Sequence, residues 1–185
     1  MPQVILRERE AADLPILHRW LHAERNAAWR AWDGPYFHVE DARPPLDLST
    51  FVEQLRTRAP SPHARIIAVD GVCAGQVTRW SEPPASGGWW ELGIVLYDPV
   101  CWGGGLGTRA LRAWTALTFQ ETHAHVLTLS TWSGNERMVR AAERVGFREC
   151  GRVREARWWQ GRRYDSVKLD LLRRSWDADP ALSMS

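Results

Sequence analysis

The chain has 185 residues, of which 44% are apolar and 25% are charged, as is typical of one globular domain with a substantial core. Its formal net charge of +2 is too small to indicate a nucleic-acid partner. No apolar run approaches the roughly 20 residues that a membrane-spanning helix needs, and the N-terminus becomes charged too soon for a signal peptide, so we expect a cytoplasmic protein without membrane contact. Three cysteines without close pairing predict neither a disulfide framework nor a zinc site.

Hydrophobic periodicity and turn signals predict an α/β fold in one domain over 1–176, with a flexible tail over 177–185. The first half is predicted to contain a strand over 4–9, a helix over 12–24, an aromatic loop over 29–45, a helix over 48–59 and a hairpin over 65–70 and 72–80. The second half is predicted to contain a strand over 89–97, a helix over 106–122, a strand over 126–131, a helix over 135–145 and a hairpin over 147–158 and 163–172. The turn signals are Asp70-Gly71 and Gln160-Gly161 for the hairpins, Ser49 or Thr50 as a helix cap, and Gly146 as a helix end.

The most informative segment lies between the predicted strand over 89–97 and the helix over 106–122. It holds four glycines within five positions, which are Gly103, Gly104, Gly105 and Gly107. A loop without side chains that opens into a helix presents unpaired N–H groups and the positive end of the helix dipole. The segment therefore predicts a binding site for a phosphate-bearing ligand.

Two common phosphate-binding motifs do not fit this loop. A P-loop needs a lysine directly after its last glycine, and the only lysine of the chain is Lys168. A Rossmann fingerprint needs a third glycine where Thr108 stands, and an acid after the next strand, which here ends in Thr-Trp-Ser.

The run Trp102-Gly-Gly-Gly-Leu-Gly-Thr108 resembles the acetyl-CoA loop of the GCN5-related N-acetyltransferases (GNAT), in the branch of the ribosomal-protein-alanine and spermidine acetyltransferases. Further similarities follow in order: Glu91-Leu-Gly-Ile-Val-Leu before the loop, Asn135 to Phe147 after the next strand, and Gly161 to Trp176 at the end. This resemblance implies a mixed, mostly antiparallel sheet of about seven strands, flanked by about four helices and splayed at the strand before the loop.

The resemblance implies direct transfer of an acetyl group from acetyl-CoA to a primary amine, without a metal. The acceptor could be a protein N-terminus, a polyamine or a small molecule such as an aminoglycoside, and a homodimer is an open alternative to a monomer. By this resemblance the backbone N–H near Leu96 stabilises the thioester oxyanion, and Glu91 is the first candidate for the base, with Asp33 and Glu40 behind it. The implied acetyl-CoA contacts are Ile94, Val95, Leu96, Trp102, Gly103, Gly104, Gly105, Leu106, Gly107, Thr108 and Asn135.

The family's usual tyrosine acid would fall on Ala142, which is a departure from the pattern. Ser133 and Tyr97 are candidate substitutes, with Tyr164 more distant, although a thiol with a pKa of roughly 8.5 can leave as a thiolate. The missing tyrosine keeps open a second interpretation, a CoA-binding module without turnover.

Twelve tryptophans are more than packing usually needs, which leaves a carbohydrate-binding module as a third interpretation. By the resemblance, the loop after the first helix closes over the acceptor, so Trp29, Trp32, Asp33, Tyr36 and Phe37 are candidate acceptor contacts. The alternative is that these rings only pin the loop to the core. Arginines between 152 and 163 are interpreted as the solvated side of a hairpin, and His18 and His22 as a solvated helix face rather than a metal site.

Overall fold

A computed structural model describes residues 2–40 and 44–179. Its seven strands are β1 (Val4–Arg7), β2 (Ala64–Val69), β3 (Val72–Ser81), β4 (Trp89–Leu96), β5 (Val126–Trp132), β6 (Arg148–Trp159) and β7 (Arg162–Leu172). They form one sheet in the order β1-β2-β3-β4-β5-β7-β6. Every neighbouring pair is antiparallel except β4 and β5, which are parallel. The fold-class prediction is therefore confirmed.

The α-helices are α1 (Asp13–His18), α2 (Pro35–Glu40), α3 (Leu48–Arg56), α4 (Leu106–Glu121), α5 (Glu136–Val145) and α6 (Arg173–Ala178). The described residues thus hold six helices rather than about four. Helix α2 arises inside the segment predicted as an aromatic loop, where Pro35 takes the first helical position. Helix α6 extends to Ala178, so the first two residues of the predicted tail are helical, and residues 180–185 lie outside the described part.

The sheet separates two apolar layers, because successive strand residues point to opposite faces. On β2, Ile67 joins the layer formed with α4 and α5, whereas its neighbour Ile66 joins the layer formed with α1 and α3. Trp114 of α4 and Trp20 next to α1 are among the buried rings of the two layers. The sheet therefore has a helical layer on each side, and the gap described below opens between them.

The sequence predicted the hairpin turns correctly but was less accurate at the helix ends. Both hairpin turns occur as predicted, with positive φ at Asp70, Gly71, Gln160 and Gly161. The predicted cap of α3 is wrong: the cap is Asp47, whose carboxylate accepts a hydrogen bond from the Thr50 backbone N–H at 2.9 Å. Hydrogen bonds from Ser49 and Thr50 hold the pKa of Asp47 well below its ordinary value. The predicted helix over 12–24 is an α-helix only to His18, and a π-helical turn, Arg19–Ala23, completes it.

Candidate active site

The parallel strands β4 and β5 separate after a short contact. They pair only from Trp89 opposite Val126 to Glu91 opposite Thr128. Beyond that point each strand stays paired with its other neighbour, so a gap opens in the middle of the sheet. A cavity of about 650 Å³ occupies this gap, and its walls include Ile94, Val95 and Leu96. The splay predicted for the strand before the glycine loop is present.

Backbone groups of β4 face the gap. The Tyr97 N–H donates to the Ala74 carbonyl at 2.9 Å, which makes Tyr97 and Ala74 a hydrogen-bonded pair of the antiparallel ladder between β3 and β4. Because such pairs alternate along a ladder, the N–H groups of Leu96 and Ile94 point away from β3, toward the gap. The Leu96 carbonyl accepts a hydrogen bond from the Trp102 indole at 3.0 Å. The Leu96 N–H therefore has the orientation that an oxyanion donor needs.

The glycine loop lies at one end of this cavity, whose wall includes Trp102 and Gly107. Gly105 is the N-cap of α4 with φ of 75°, a left-handed conformation that glycine adopts without strain. The first backbone hydrogen bond of α4 runs from the Arg109 N–H to the Gly105 carbonyl, so the N–H groups of Leu106, Gly107 and Thr108 precede the helical ladder. Gly103, Gly104 and Gly105 are exposed, and an added Cβ would meet no atom within 4 Å at any of them. The loop is thus open to a ligand.

Glu91 lies in the wall of the cavity at the point where the strands part, and it is 4% exposed. Its Oε2 accepts a hydrogen bond from the Thr128 hydroxyl at 2.5 Å and lies 3.0 Å from Nζ of Lys168. The Lys168 ammonium also sits 4.8 Å from the centre of the Trp89 ring. Both contacts of the carboxylate use Oε2, which leaves Oε1 as the oxygen that could accept a proton. No sequence pattern indicates Lys168 as the partner of Glu91, because the two residues lie on different strands.

The aromatic segment also lines the cavity, through Trp29, Trp32, Asp33, Tyr36 and Phe37. Trp29 is buried and donates a hydrogen bond to the Trp20 carbonyl at 3.1 Å, so it also anchors the segment. Phe37, in contrast, is 59% exposed. Both interpretations of these rings therefore have support: some pin the segment, and all of them face the cavity. The side chain of Glu40, a fallback candidate for the base, lies outside the described residues.

Asn135 connects this segment to α5. It caps the helix, since its Oδ1 accepts from the Met138 N–H at 3.1 Å, and its Nδ2 donates to the Trp32 carbonyl at 2.8 Å. The Trp132 indole donates to the same carbonyl at 3.2 Å. Asn135 lines the cavity, but both ends of its amide already bond other groups of the protein, and its contact with acetyl-CoA stays a prediction.

The candidate proton donors differ in their surroundings. Ser133 does not line the cavity; its hydroxyl accepts from the Asp165 N–H at 3.0 Å and ties β5 to β7. Tyr97 does line it and donates to Gln76 Oε1 at 2.7 Å, and burial raises the pKa of this phenol well above its ordinary value. Tyr164 packs edge-on against Trp132 with ring centres 4.8 Å apart. Ala142 is fully buried in the core. Among the three hydroxyl candidates, only Tyr97 faces the cavity.

Two arginines of the cavity wall were missed by the sequence analysis. Arg137, in the first turn of α5, stacks over Trp32 at 4.4 Å and over Trp102 at 5.5 Å. Arg157, on β6, stacks over Tyr36 at 5.1 Å and over Phe37 at 5.4 Å. Nothing in an arginine-rich hairpin distinguishes the one side chain that turns inward, so only the structure could reveal it.

His18 and His22 serve packing. The His18 ring contacts the Leu46 carbonyl at 2.9 Å, and the Leu46 N–H donates to the His22 ring at 3.2 Å. Within residues 2–40 and 44–179, no group of three or more His, Cys, Asp or Glu side chains is arranged to hold a metal ion. In the same part of the chain, no helix has the length and apolar character to cross a membrane.

Comparison with known proteins matches the same region of the chain. A family model described as an acetyltransferase (GNAT) domain matches residues 3–148. Aminoglycoside N(6')-acetyltransferase type 1 of Klebsiella pneumoniae is 27% identical over 164 residues, which cover 81% of this chain and 76% of that protein.

Solved structures show the same fold. An acetyltransferase of the GNAT family from Bacillus anthracis has a TM-score of 0.69 at 13% identity, covering 93% of this chain and 98% of that one. A spermidine N-acetyltransferase chimera from Vibrio cholerae has a TM-score of 0.68 at 20% identity, covering 96% of this chain and 99% of that one.

Proposed function

The chain belongs to the acetyltransferase (GNAT) family and is an acetyl-CoA-dependent N-acetyltransferase, and on this premise we propose that the gap between β4 and β5 is its active site and a primary amine its acceptor. The observation that carries this assignment is the splay itself. It turns the N–H groups of Ile94 and Leu96 into a cavity whose end lies at the glycine loop. Such donors suit an extended amide chain and a thioester carbonyl, and the α4 N-terminus suits a diphosphate. The residues present therefore fit acetyl-CoA.

In the proposed reaction the amine nitrogen attacks the thioester carbon, the new C–N bond forms and the C–S bond breaks. Leu96 N–H stabilises the negative charge that develops on the carbonyl oxygen. Glu91 accepts the proton that the amine loses, through Oε1, directly or by way of one water molecule. The thiol can depart as a thiolate near neutral pH, so this step needs no proton donor. Tyr97, the candidate donor that lines the cavity, already donates its hydroxyl proton to Gln76.

The glycine-loop assignment is tested by Gly105→Glu, followed by thermal shift with CoA. A glutamate there places negative charge and bulk where the diphosphate is expected, so the stabilisation by CoA should disappear. Gly161→Glu is the matched control, because Gly161 also has a positive φ, of 74°, and an added Cβ there also meets nothing within 4 Å. Equal CoA stabilisation in both variants would contradict the assignment.

Turnover is tested by thiol release from acetyl-CoA in the presence of peptides, polyamines and aminoglycosides. We expect release that depends on the acceptor. The cytoplasmic location, the homodimer and the domain limits 1–176 stay predictions.

A further inference from the structure

Arg157 is a cation in the wall of the active-site cavity without a carboxylate partner among the described residues. Its Nε is buried and makes no hydrogen bond in the described part of the chain. The guanidinium lies over Tyr36 and Phe37, and the same three side chains line a second hollow of about 490 Å³. Arg157 therefore lines both the main cavity and this hollow.

The backbone is built to turn this side chain inward. The register between β6 and β7 shifts between Val153 and Arg157, and Glu155 within that stretch has φ of 55°. Such a conformation is costly for a residue other than glycine and persists only where the surroundings enforce it. Here Asp165 enforces it: its carboxylate accepts from the Glu155 N–H at 2.9 Å and from Arg152 at 2.8 Å. A bulge re-aims the side chains that follow it, and the side chain re-aimed here is Arg157.

The charges of the cavity wall do not favour a polycation. The carboxylates in the described wall are Asp33 and Glu91. Glu91 is paired with Lys168, which leaves Asp33 as the one carboxylate of the described wall whose charge has no permanent counter-ion; His38 Nε2 lies 3.5 Å from its Oδ2 and offsets that charge only when protonated. Arg137 and Arg157 add two positive charges without a paired acid among the described residues. Aminoglycosides and polyamines would meet repulsion here, whereas an acceptor with its own negative charge would not.

We propose that the acceptor carries a carboxylate as well as its amine and that Arg157 binds this carboxylate, while the rings of Tyr36 and Phe37 contact the apolar body. This inference rests on the proposed function, because it names the acceptor of the same site. A guanidinium binds a carboxylate through two parallel hydrogen bonds, and stacking on two rings holds its plane in place. The carboxylate can belong to a free amino acid or to an acidic first residue of a peptide, and the test separates these sources.

The test compares matched acceptors in the wild type and in Arg157→Gln. Tyrosine and tyramine differ by an α-carboxylate, and the dipeptide amides Glu-Phe and Gln-Phe differ by a side-chain carboxylate. In at least one pair, the variant should reduce kcat/KM of the carboxylate-bearing member about 10- to 100-fold more than that of its partner, because a charge-assisted hydrogen bond is lost. Because the kcat/KM of each acceptor is compared between the wild type and the variant, differences in amine basicity between acceptors cancel. Arg163→Gln is the control, since Arg163 stacks on Trp158 in the same hairpin outside the cavity.

Equal losses for both members of both pairs would overturn the inference, as would a preference of the wild type for spermidine or kanamycin over tyrosine and the Glu-Phe amide. Binding of the products provides an independent readout. In at least one product pair, N-acetyltyrosine against N-acetyltyramine or the N-acetylated Glu-Phe amide against the N-acetylated Gln-Phe amide, the carboxylate-bearing product should bind more tightly by calorimetry in the presence of CoA. Arg157→Gln should abolish that difference. If no acceptor releases thiol but this binding difference is observed, the proposed reaction fails while the carboxylate site stands; equal binding within both product pairs overturns the site.

Discussion

At the scale of single residues, the wall of the cavity contains an ion pair between two strands that are not neighbours in the sheet. Glu91 on β4 and Lys168 on β7 lie on either side of β5, and the Thr128 hydroxyl of β5 bonds the same carboxylate oxygen. The carboxylate is buried, whereas the lysine side chain is 35% exposed. Removal of the lysine should therefore lower the free energy of unfolding by more than the loss of its own contacts would, because a charged carboxylate would stay buried without a counter-ion.

We expect Lys168→Met to lower the free energy of unfolding by about 3 kcal/mol, and Glu91→Gln/Lys168→Met to recover most of that loss. Urea unfolding of both single variants and the double variant measures the coupling. The activity of Glu91→Gln separates the roles of the carboxylate: a base is lost if kcat falls while KM for acetyl-CoA stays constant. Additive losses of stability would show that the pair does not couple.

The residue scale is also where sequence reasoning reached its limit. Glu91, Leu96 and the aromatic residues were proposed as site residues because the family resemblance or the composition singles them out. Lys168 and Arg157 were not, because each stands in a strand pattern that predicts a solvent-facing side chain. Their roles depend on contacts between strands that are distant in sequence, which no local pattern records.

At the scale of elements, the start of α5 and the aromatic segment form one unit. Asn135 caps the helix through its oxygen and holds the Trp32 carbonyl through its nitrogen. The cap position was within reach of the sequence, since asparagine directly before a helix is a common signal. The second contact was not, because it spans about a hundred residues of chain. Helix α2 is a similar case. Pro35 is a local signal for the start of a helix, but the composition of the segment around it predicted a loop.

The two functions of Asn135 can be separated by substitution. Asn135→Asp keeps an acceptor for the cap and suits the positive end of the helix dipole, but it replaces the donor to Trp32 by a carboxylate that repels the carbonyl. We expect near wild-type thermal stability with a raised KM for the acceptor, because the aromatic wall loses its anchor.

Asn135→Ala, in contrast, removes both contacts and should lower stability by about 1 kcal/mol as well. Thermal unfolding and steady-state kinetics on the three proteins measure the two effects. An unchanged acceptor KM in Asn135→Asp would show that the segment is held by its other contacts.

At the scale of the whole molecule, groups buried in or beside the apolar layer with α1 and α3 make the stability of the fold depend on pH. Cys73 and Tyr97 belong to the layer with α1 and α3. Burial, together with the charge of Asp13, raises the pKa of the Cys73 thiol from 9.0 to about 12. Asp13, in contrast, is buried but bonded by Arg7 at 2.6 Å and by the Glu10 N–H; these bonds outweigh the effect of burial and lower its pKa below 3.8.

The two shifts lower the stability of the fold at opposite ends of the pH scale. Above pH 9 the unfolded chain releases the Cys73 proton while the folded chain keeps it, so stability falls as pH rises from about 9 toward 12, by about 1.4 kcal/mol per unit. Below the ordinary pKa of Asp13, the unfolded chain takes up the proton first, so the contribution of the ion pair with Arg7 is lost as pH falls further.

Cys73→Ala should isolate the contribution of the Cys73 thiol to the loss of stability at alkaline pH. We expect a somewhat lower free energy of unfolding at pH 7, because a buried sulfur is removed, and a flatter decline between pH 9 and pH 10. Cys101, Cys150 and Tyr97 still titrate in the variant, because burial raises the pKa of each above its ordinary value. The part of the decline that belongs to Tyr97 begins about one unit later than that of the thiols, since its ordinary pKa is 10.0 rather than 9.0. Urea unfolding in steps of half a pH unit measures both slopes, and identical slopes in the two proteins would show that Cys73 does not set the alkaline limit. The alkaline decline would then belong to the other groups whose pKa burial raises, which include Cys101, Cys150 and Tyr97, and Tyr97 is the one among these three whose hydroxyl bonds Gln76 at the wall of the cavity.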